Sequence, residues 1–202
     1  MTGNDSRRHA RDADRTRDEL VRAARRRFAT EGYRAATVRG IASDAGVNVA
    51  LISRYFGSKE GLFAACVQRS VDEMSPAAAP AGLDALIDRL IERVVRSPDS
   101  DEPLQMLLLL RSSGDEGADR IRRETLESFT ASIAGIAGLE PGAPQGEDLM
   151  LRAQLAIATL VGLVMLRASA VVEPTTSATA AQLDEPLRSA LRALLGIETP
   201  ER

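Results

Sequence analysis

Between Thr37 and Leu62 the chain carries the pattern that most narrows its fold: two helix-forming stretches too short to stand alone, separated by a turn centred on Gly46. Thr37 is placed to cap the first stretch, in which Val38, Ile41, Ala42 and Ala45 recur at helical spacing. Gly46 supplies the left-handed backbone that a three-residue turn needs. The second stretch, from Asn48 to Phe56, sets Ile52 and Phe56 on one face and Val49, Ala50, Ser53 and Arg54 on the others. Ser58 is placed to cap a further helix through Leu62, Phe63, Val67 and Val71, halted by Pro76. Two short helices joined in this way suit a unit whose second helix enters a DNA major groove, although ordinary helical packing shows the same pattern.

The flanking sequence predicts more helices and no strands. Thr16-Arg17-Asp18-Glu19 has capping-box spacing, and Leu20, Ala24 and Phe28 then recur up to Glu31, with Gly32 as the stop. Residues 1–14 are polar and read as a flexible arm, either a minor-groove contact or simply disordered. Residues 75–82, rich in Ala and Pro, read as a linker. Beyond it, 83–96, 103–112, 118–137, 147–172 and 178–195 read as helices, separated by segments holding Pro98, Gly114, Pro141, Pro144 and Pro174. No alternating apolar and polar run competes, so the expected fold is all-α.

Charge is divided unevenly. Residues 1–60 hold 13 Arg or Lys against 8 Asp or Glu, and the remainder holds 13 against 21. A basic head on an acidic body suits a protein that touches a polyanion with one end only. All the basic residues but Lys59 are arginine, and Arg25 to Arg27 can equally be a solvated helix face.

Other chemistries find little footing. With one His, in the arm at His9, and one Cys, Cys66, a soft-metal site of Cys and His ligands is not expected, and neither is a cofactor. Cys66 reads as a small buried apolar residue. No phosphate loop or nucleophile elbow is present, and the carboxylate cluster Asp115, Glu116 and Asp119 is expected in a loop, so catalysis is not expected. The nearly uncharged stretch from Arg152 to Arg167 is shorter than the roughly 20 residues that span a bilayer and reads as a helix buried on several sides. A cytoplasmic protein without a membrane partner is the expectation.

Thr37-Val38-Arg39-Gly40-Ile41-Ala42, then Ala45-Gly46-Val47, then Tyr55-Phe56-Gly57-Ser58-Lys59-Glu60-Gly61-Leu62 resemble, in register and without a gap, the N-terminal signature of the TetR family, the tetracycline-repressor-like regulators. The resemblance covers about the first third of the chain. It implies an N-terminal three-helix helix-turn-helix DNA-binding domain over 15–60 and a helical ligand-sensing and dimerisation domain over 61–202. It also implies that Thr37 caps its helix and offers its hydroxyl to a phosphate, that Arg39 reaches backbone or a base edge, and that Tyr55 and Lys59 clamp phosphates. Asn48, Val49, Ala50, Ser53 and Arg54 would face the groove, with Arg54 set to read guanine and Val49 or Ala50 to pack on a thymine methyl. Two positions depart from the pattern. Ser53 stands where the family usually has Tyr, and Gly40 interrupts a helix at a cost of about 1 kcal/mol relative to Ala unless a close contact requires it.

The resemblance further implies a homodimer formed by the last two helices, a palindromic operator, and release by an unidentified small effector. Small residues at Ala153, Ala156, Ala158 and Gly162 would let a second helix approach closely; a core helix in a monomer is the alternative. Met106 to Leu110, with Ile121, Leu126, Phe129 and Ile133, offer apolar surface for an effector pocket, though core packing explains each of them equally well. The competing functions are a sequence-tolerant architectural DNA binder and, more remotely, a helical enzyme.

Overall fold

A computed structural model describes residues 3–74, 82–96, 108, 114–138, 146–168 and 172–195. Among the described residues there are eight helices and no strand: α1 (Gly3–Glu31), α2 (Val38–Asp44), α3 (Ala50–Phe56), α4 (Lys59–Met74), α5 (Leu83–Arg96), α6 (Glu116–Ile136), α7 (Gly146–Ala168) and α8 (Ala180–Leu195). The fold is all-α, as the periodicity requires. Most of the expected linker and the expected helix over 103–112, including Met106 to Leu110 apart from Leu108, lie outside the described residues. The chain forms two compact units, Met1–Val71 with Leu107–Thr125, and Asp72–Met106 with Leu126–Arg202.

The first unit is built on α1. Leu20, Ala24 and Phe28 are buried, as their spacing predicts, beside Ile41, Ile52, Leu62, Phe63 and Val67. Phe28 stacks on Tyr33 at 5.7 Å between centroids and meets Phe63 edge-on at 5.2 Å, while Tyr33 and Phe63 lie 5.0 Å apart. Each pair has the offset or edge geometry that aromatic quadrupoles favour. Cys66 is buried, its thiol donating to the Val21 carbonyl at 3.7 Å, and burial pushes that thiol well above its usual range. Such a thiol packs as a small apolar group.

The start of α1 differs from the expectation. The helix begins at Gly3, so residues 3–14 continue it, and Thr16 lies inside, its hydroxyl donating to the Asp12 carbonyl at 2.8 Å instead of capping. No Gly or Pro interrupts the chain between Asn4 and Glu31, and nothing in that composition stops a helix from extending toward its N-terminus.

Gly40 acquires a reason. Arg27 of α1 reaches α2, bonding Asp44 with two nitrogens, one of them at 2.9 Å, and Glu31 with the third at 2.9 Å. A Cβ at position 40 would stand 2.8 Å from Arg27 Nη1 and 2.9 Å from Cζ. The guanidinium therefore lies over a bare stretch of α2. Its hydrogen bond to Asp44 holds that carboxyl below the usual carboxylate range.

In the second unit α5 and α8 pack through Leu86, Ile87, Leu90, Ile91 and Val94 on one side and Leu187, Leu191 and Leu195 on the other. Arg188 pairs with Asp88 at 2.7 Å and Arg192 with Asp84 at 2.8 Å, a crossed order that makes the two helices antiparallel. Phe129 and Ile133 of α6 are buried, and Ile121 and Leu126 half-buried.

The α7 helix corrects the expectation that it is buried on several sides. Its buried residues are Ala153, Ala156, Leu160, Val164 and Arg167, a single stripe on a helix that packs against α8 and α5. Leu151, Leu155 and Leu166 are exposed, at 53%, 46% and 43%. By length and composition α7 can cross a membrane, a property it shares with apolar helices of packed domains. Ala153 and Ala156 share the buried stripe with Leu160 and Val164, while Ala158 and Gly162 are exposed along with Leu151, Leu155 and Leu166. Arg167 ends that stripe, its Nη1 donating to the carbonyls of Thr175 at 2.8 Å and Ala178 at 3.0 Å and so tying the α7–α8 connection.

The contact at Gly40 gives a double-mutant test. Gly40→Ala in an Arg27→Ala background should raise unfolding free energy by about 1 kcal/mol, the intrinsic helix advantage of alanine. In the native background the same change should gain clearly less, because the new methyl displaces the guanidinium. Denaturant titration of the four proteins measures both steps, and equal gains would refute the steric account.

Candidate nucleic-acid interface

Local chemistry positions the outward side chains of the first unit. Thr37 adopts extended backbone at φ −107° and ψ 146°, and its Oγ1 accepts from the Gly40 amide at 3.1 Å, so it caps α2 as its type and place predict. Gly46 sits at φ +67°, in the turn that joins α2 to α3. Ser58 caps α4 in the same manner, its Oγ accepting from the Gly61 amide at 3.0 Å. With Ile52 buried, the helical repeat turns Val49, Ala50, Ser53 and Arg54 outward, and all four are exposed. An isolated valine exposed at 39% presents an apolar contact to whatever approaches α3.

The sequence-derived residues do not all converge. Thr37, Val49, Ser53 and Lys59 line one groove of about 470 Å³, between the start of α2, the outer face of α3 and the start of α4. Arg39, Asn48, Ala50, Arg54 and Tyr55 are not part of that lining. Arg39 and Arg54 are exposed, and neither makes a hydrogen bond or ion pair among the described residues. Arg54 lies 5.9 Å from the centroid of the half-buried Tyr55, whose ring meets Phe56 edge-on at 6.4 Å. Asn48 is exposed, but its Oδ1 accepts from the Ala50 amide at 2.8 Å. Its carbonyl oxygen is thus engaged at the start of α3, and its amide hydrogens remain outward.

Lys59 is held more closely than a freely solvated lysine. Its ammonium lies 4.5 Å above the Tyr33 ring and donates to the Arg34 carbonyl at 3.4 Å. Burial lowers its pKa, and the Asp115 carboxylate opposes that shift. Burial likewise raises the Tyr33 hydroxyl, with smaller contributions from Asp115 and Glu60. Asp115 belongs to the carboxylate cluster expected in a loop. The structure instead makes it the cap of α6, where its Oδ1 accepts from the Ala118 amide at 3.1 Å, and places Glu116 and Asp119 within that helix, Asp119 paired with Arg122 at 3.2 Å.

Arg34 is the residue that pattern reading passed over. It follows Tyr33 in the turn before α2, outside any helix, so no periodicity drew attention to it. A cation three positions ahead of a capping threonine was the available signal.

Comparison with known proteins covers both parts of the chain. The model of "Bacterial regulatory proteins, tetR family" matches residues 20–66, and that of "Tetracyclin repressor-like, C-terminal domain" matches residues 84–195. The HTH-type transcriptional dual regulator CecR of Shigella flexneri is 44% identical over 59 residues, 29% of this chain and 26% of that protein. The HTH-type transcriptional repressor NicS of Pseudomonas putida is 37% identical over 70 residues, 35% of this chain and 33% of that one. These matches therefore span only about a quarter to a third of the curated relatives. A TetR-family regulator from Streptomyces coelicolor superposes with a TM-score of 0.58 at 29% identity, over 90% of this chain and 95% of that chain. NalD of Pseudomonas aeruginosa, described as the secondary repressor of the MexAB-OprM multidrug efflux pump, superposes at 0.62 with 20% identity over 88% and 97%, a likeness of fold alone.

The Thr37 cap has a stability consequence. Thr37→Ala should cost about 1 kcal/mol, and Thr37→Ser should restore most of it, since either hydroxyl can accept from the Gly40 amide. Thermal melts of the two variants check this, and an alanine variant as stable as the parent would remove the cap from the account.

Proposed function

The chain belongs to the TetR family of bacterial regulatory proteins and is a DNA-binding transcriptional regulator; from that premise we propose that it is a repressor, binding a palindromic operator as a homodimer and released by a small apolar or amphipathic effector. The observation that carries the DNA-reading part is the face of α3. Ile52 anchors the helix in the core, while Val49, Ala50, Ser53 and Arg54 are exposed, the Arg54 guanidinium making no hydrogen bond or ion pair among the described residues. Arg54 is suited to the two acceptors on guanine, and Val49 or Ala50 to a thymine methyl. Thr37, Arg39, Tyr55 and Lys59 are assigned to the backbone, where they fix register without reading sequence, and Asn48 and Ser53 to the groove. Residues 15–60 form the reader in this scheme, and residues 61–202 the sensing and dimerising part. A cytoplasmic location follows from a DNA target in a bacterium.

The exposed leucines of α7 support the dimer. Leu151, Leu155 and Leu166 lie opposite the buried stripe, and a second copy of the same helix would remove them from water. One head covers only a few base pairs, whereas two heads one helical turn apart read a palindrome. An effector that prefers a spread arrangement of heads by several kcal/mol would then empty the operator. A NicS-like repressor role and a CecR-like dual role are both compatible with this chemistry, and the repressor reading is preferred because operator occupancy alone suffices for it.

Selection from a randomised duplex library tests the reading, with a palindromic consensus expected and equal affinity for all duplexes pointing instead to an architectural binder. With that operator, Arg54→Ala should relax the preference at one base position by about 1 to 3 kcal/mol; an unchanged preference would take base reading away from Arg54. Leu155→Glu should yield a monomer of unaltered helix content by light scattering and circular dichroism, with weakened operator binding. A dimer that persists in that variant would move the interface elsewhere.

A further inference from the structure

We propose that Arg34 is an operator-phosphate contact, forming with Thr37, Ser58 and Lys59 an anion cradle at one edge of the reading helix. The inference rests on the DNA-binding reading and adds to it a residue outside the helix-turn-helix pattern. Arg34 lines the same groove as Thr37, Ser58 and Lys59. It is exposed, and its guanidinium makes no hydrogen bond or ion pair among the described residues. The Lys59 ammonium bonds the Arg34 carbonyl, so two cations separated by 25 residues in sequence share one wall. That bond is to the Arg34 backbone; what the two side chains share is the groove they both line, which gives an anion there two cations to draw on.

The two hydroxyls suit the same occupant. Thr37 Oγ1 and Ser58 Oγ each accept from a backbone amide, leaving each hydroxyl hydrogen available to donate into the groove. A phosphate diester offers acceptors only, and guanidinium, ammonium and hydroxyl donors are the groups that bind it. Of the two cations Lys59 is the more constrained, lying over Tyr33 with the Asp115 carboxylate near enough to act on it. No carboxylate is bonded to Arg34 among the described residues. A Cβ at Gly114 would be 3.6 Å from Arg34 Cδ and 3.9 Å from its Nη1, so the side chain passes over a glycine and keeps its exposure. Arg34 therefore supplies the less compensated charge of the cradle.

The test is salt-dependent binding of the full chain to a mixed-sequence duplex of about 30 base pairs, long enough for two heads one turn apart. Arg34→Gln removes the charge and keeps the stem; Arg34→Lys keeps the charge; a thermal melt shows that each variant folds. Arg34→Gln should flatten log Kobs against log salt by about one unit for each bound head and lower affinity about eightfold per head at 0.1 M salt, from release of about 0.9 counterion per phosphate. Arg34→Lys should retain the parental slope. A parental slope and affinity in Arg34→Gln would overturn the proposal while leaving the DNA-binding function standing. A loss confined to particular sequences would overturn it too, by making Arg34 a base reader. If the parental protein itself binds no duplex at low salt, the DNA-binding reading fails and the cradle with it.

Discussion

The contact of Phe28 with Tyr33 and Phe63 is the interaction on which the head depends. It joins the end of α1 to the turn before α2 and to the first turns of α4. Tyr33 carries the Lys59 ammonium on its ring, Arg34 follows it in the chain, and Thr37 begins α2 four residues after it. Three large aromatic side chains in edge and stacked contact tolerate little displacement, so the Lys59 ammonium seated on Tyr33 and the backbone turn leading to Thr37 are held in place. A group already held in this way loses little further freedom when it meets a partner.

A second constraint acts through Arg27. By bonding both Asp44 and Glu31 it fastens α2 to α1 where the helices offer little apolar area, since α2 is only seven residues long and buries Ile41 and Ala42. Exposed ion pairs contribute little singly, but a bidentate guanidinium also sets direction. The glycine beneath it, which looks like a defect in a helix, is the space the guanidinium occupies. The cluster Asp115, Glu116 and Asp119 undergoes a similar change of meaning. Three nearby carboxylates read from sequence as a loop cluster turn out to be structural: Asp115 is a helix cap, Asp119 an ion-pair partner of Arg122, and Glu116 and Asp119 the acidic first turn of α6.

Much of this was legible in the residues alone. Capping threonine and serine, the glycine turn and the apolar spacing of α2, α3 and α5 are local features, because a cap or a helical repeat is decided within a few residues. The TetR signature belongs to the same class: a run of typed positions whose roles are set by short-range geometry. The start of α1 was not legible, because nothing local distinguishes a polar segment that continues a helix from one that does not. Arg34 escaped for the opposite reason, lying in a turn where no period marks it.

Sequence by itself determined that the chain is helical, that its second and third helices meet across a glycine turn, and which residues of α3 leave the core. Only tertiary structure decided why Gly40 is glycine, that Lys59 rests on Tyr33 and bonds the Arg34 carbonyl, and that α7 buries one stripe and leaves Leu151, Leu155 and Leu166 exposed. The physical reason is range. Helical periodicity and capping act over one or two turns, whereas a guanidinium crossing between helices, a cation over a ring, or a face left without a neighbour depends on residues brought together from distant parts of the chain.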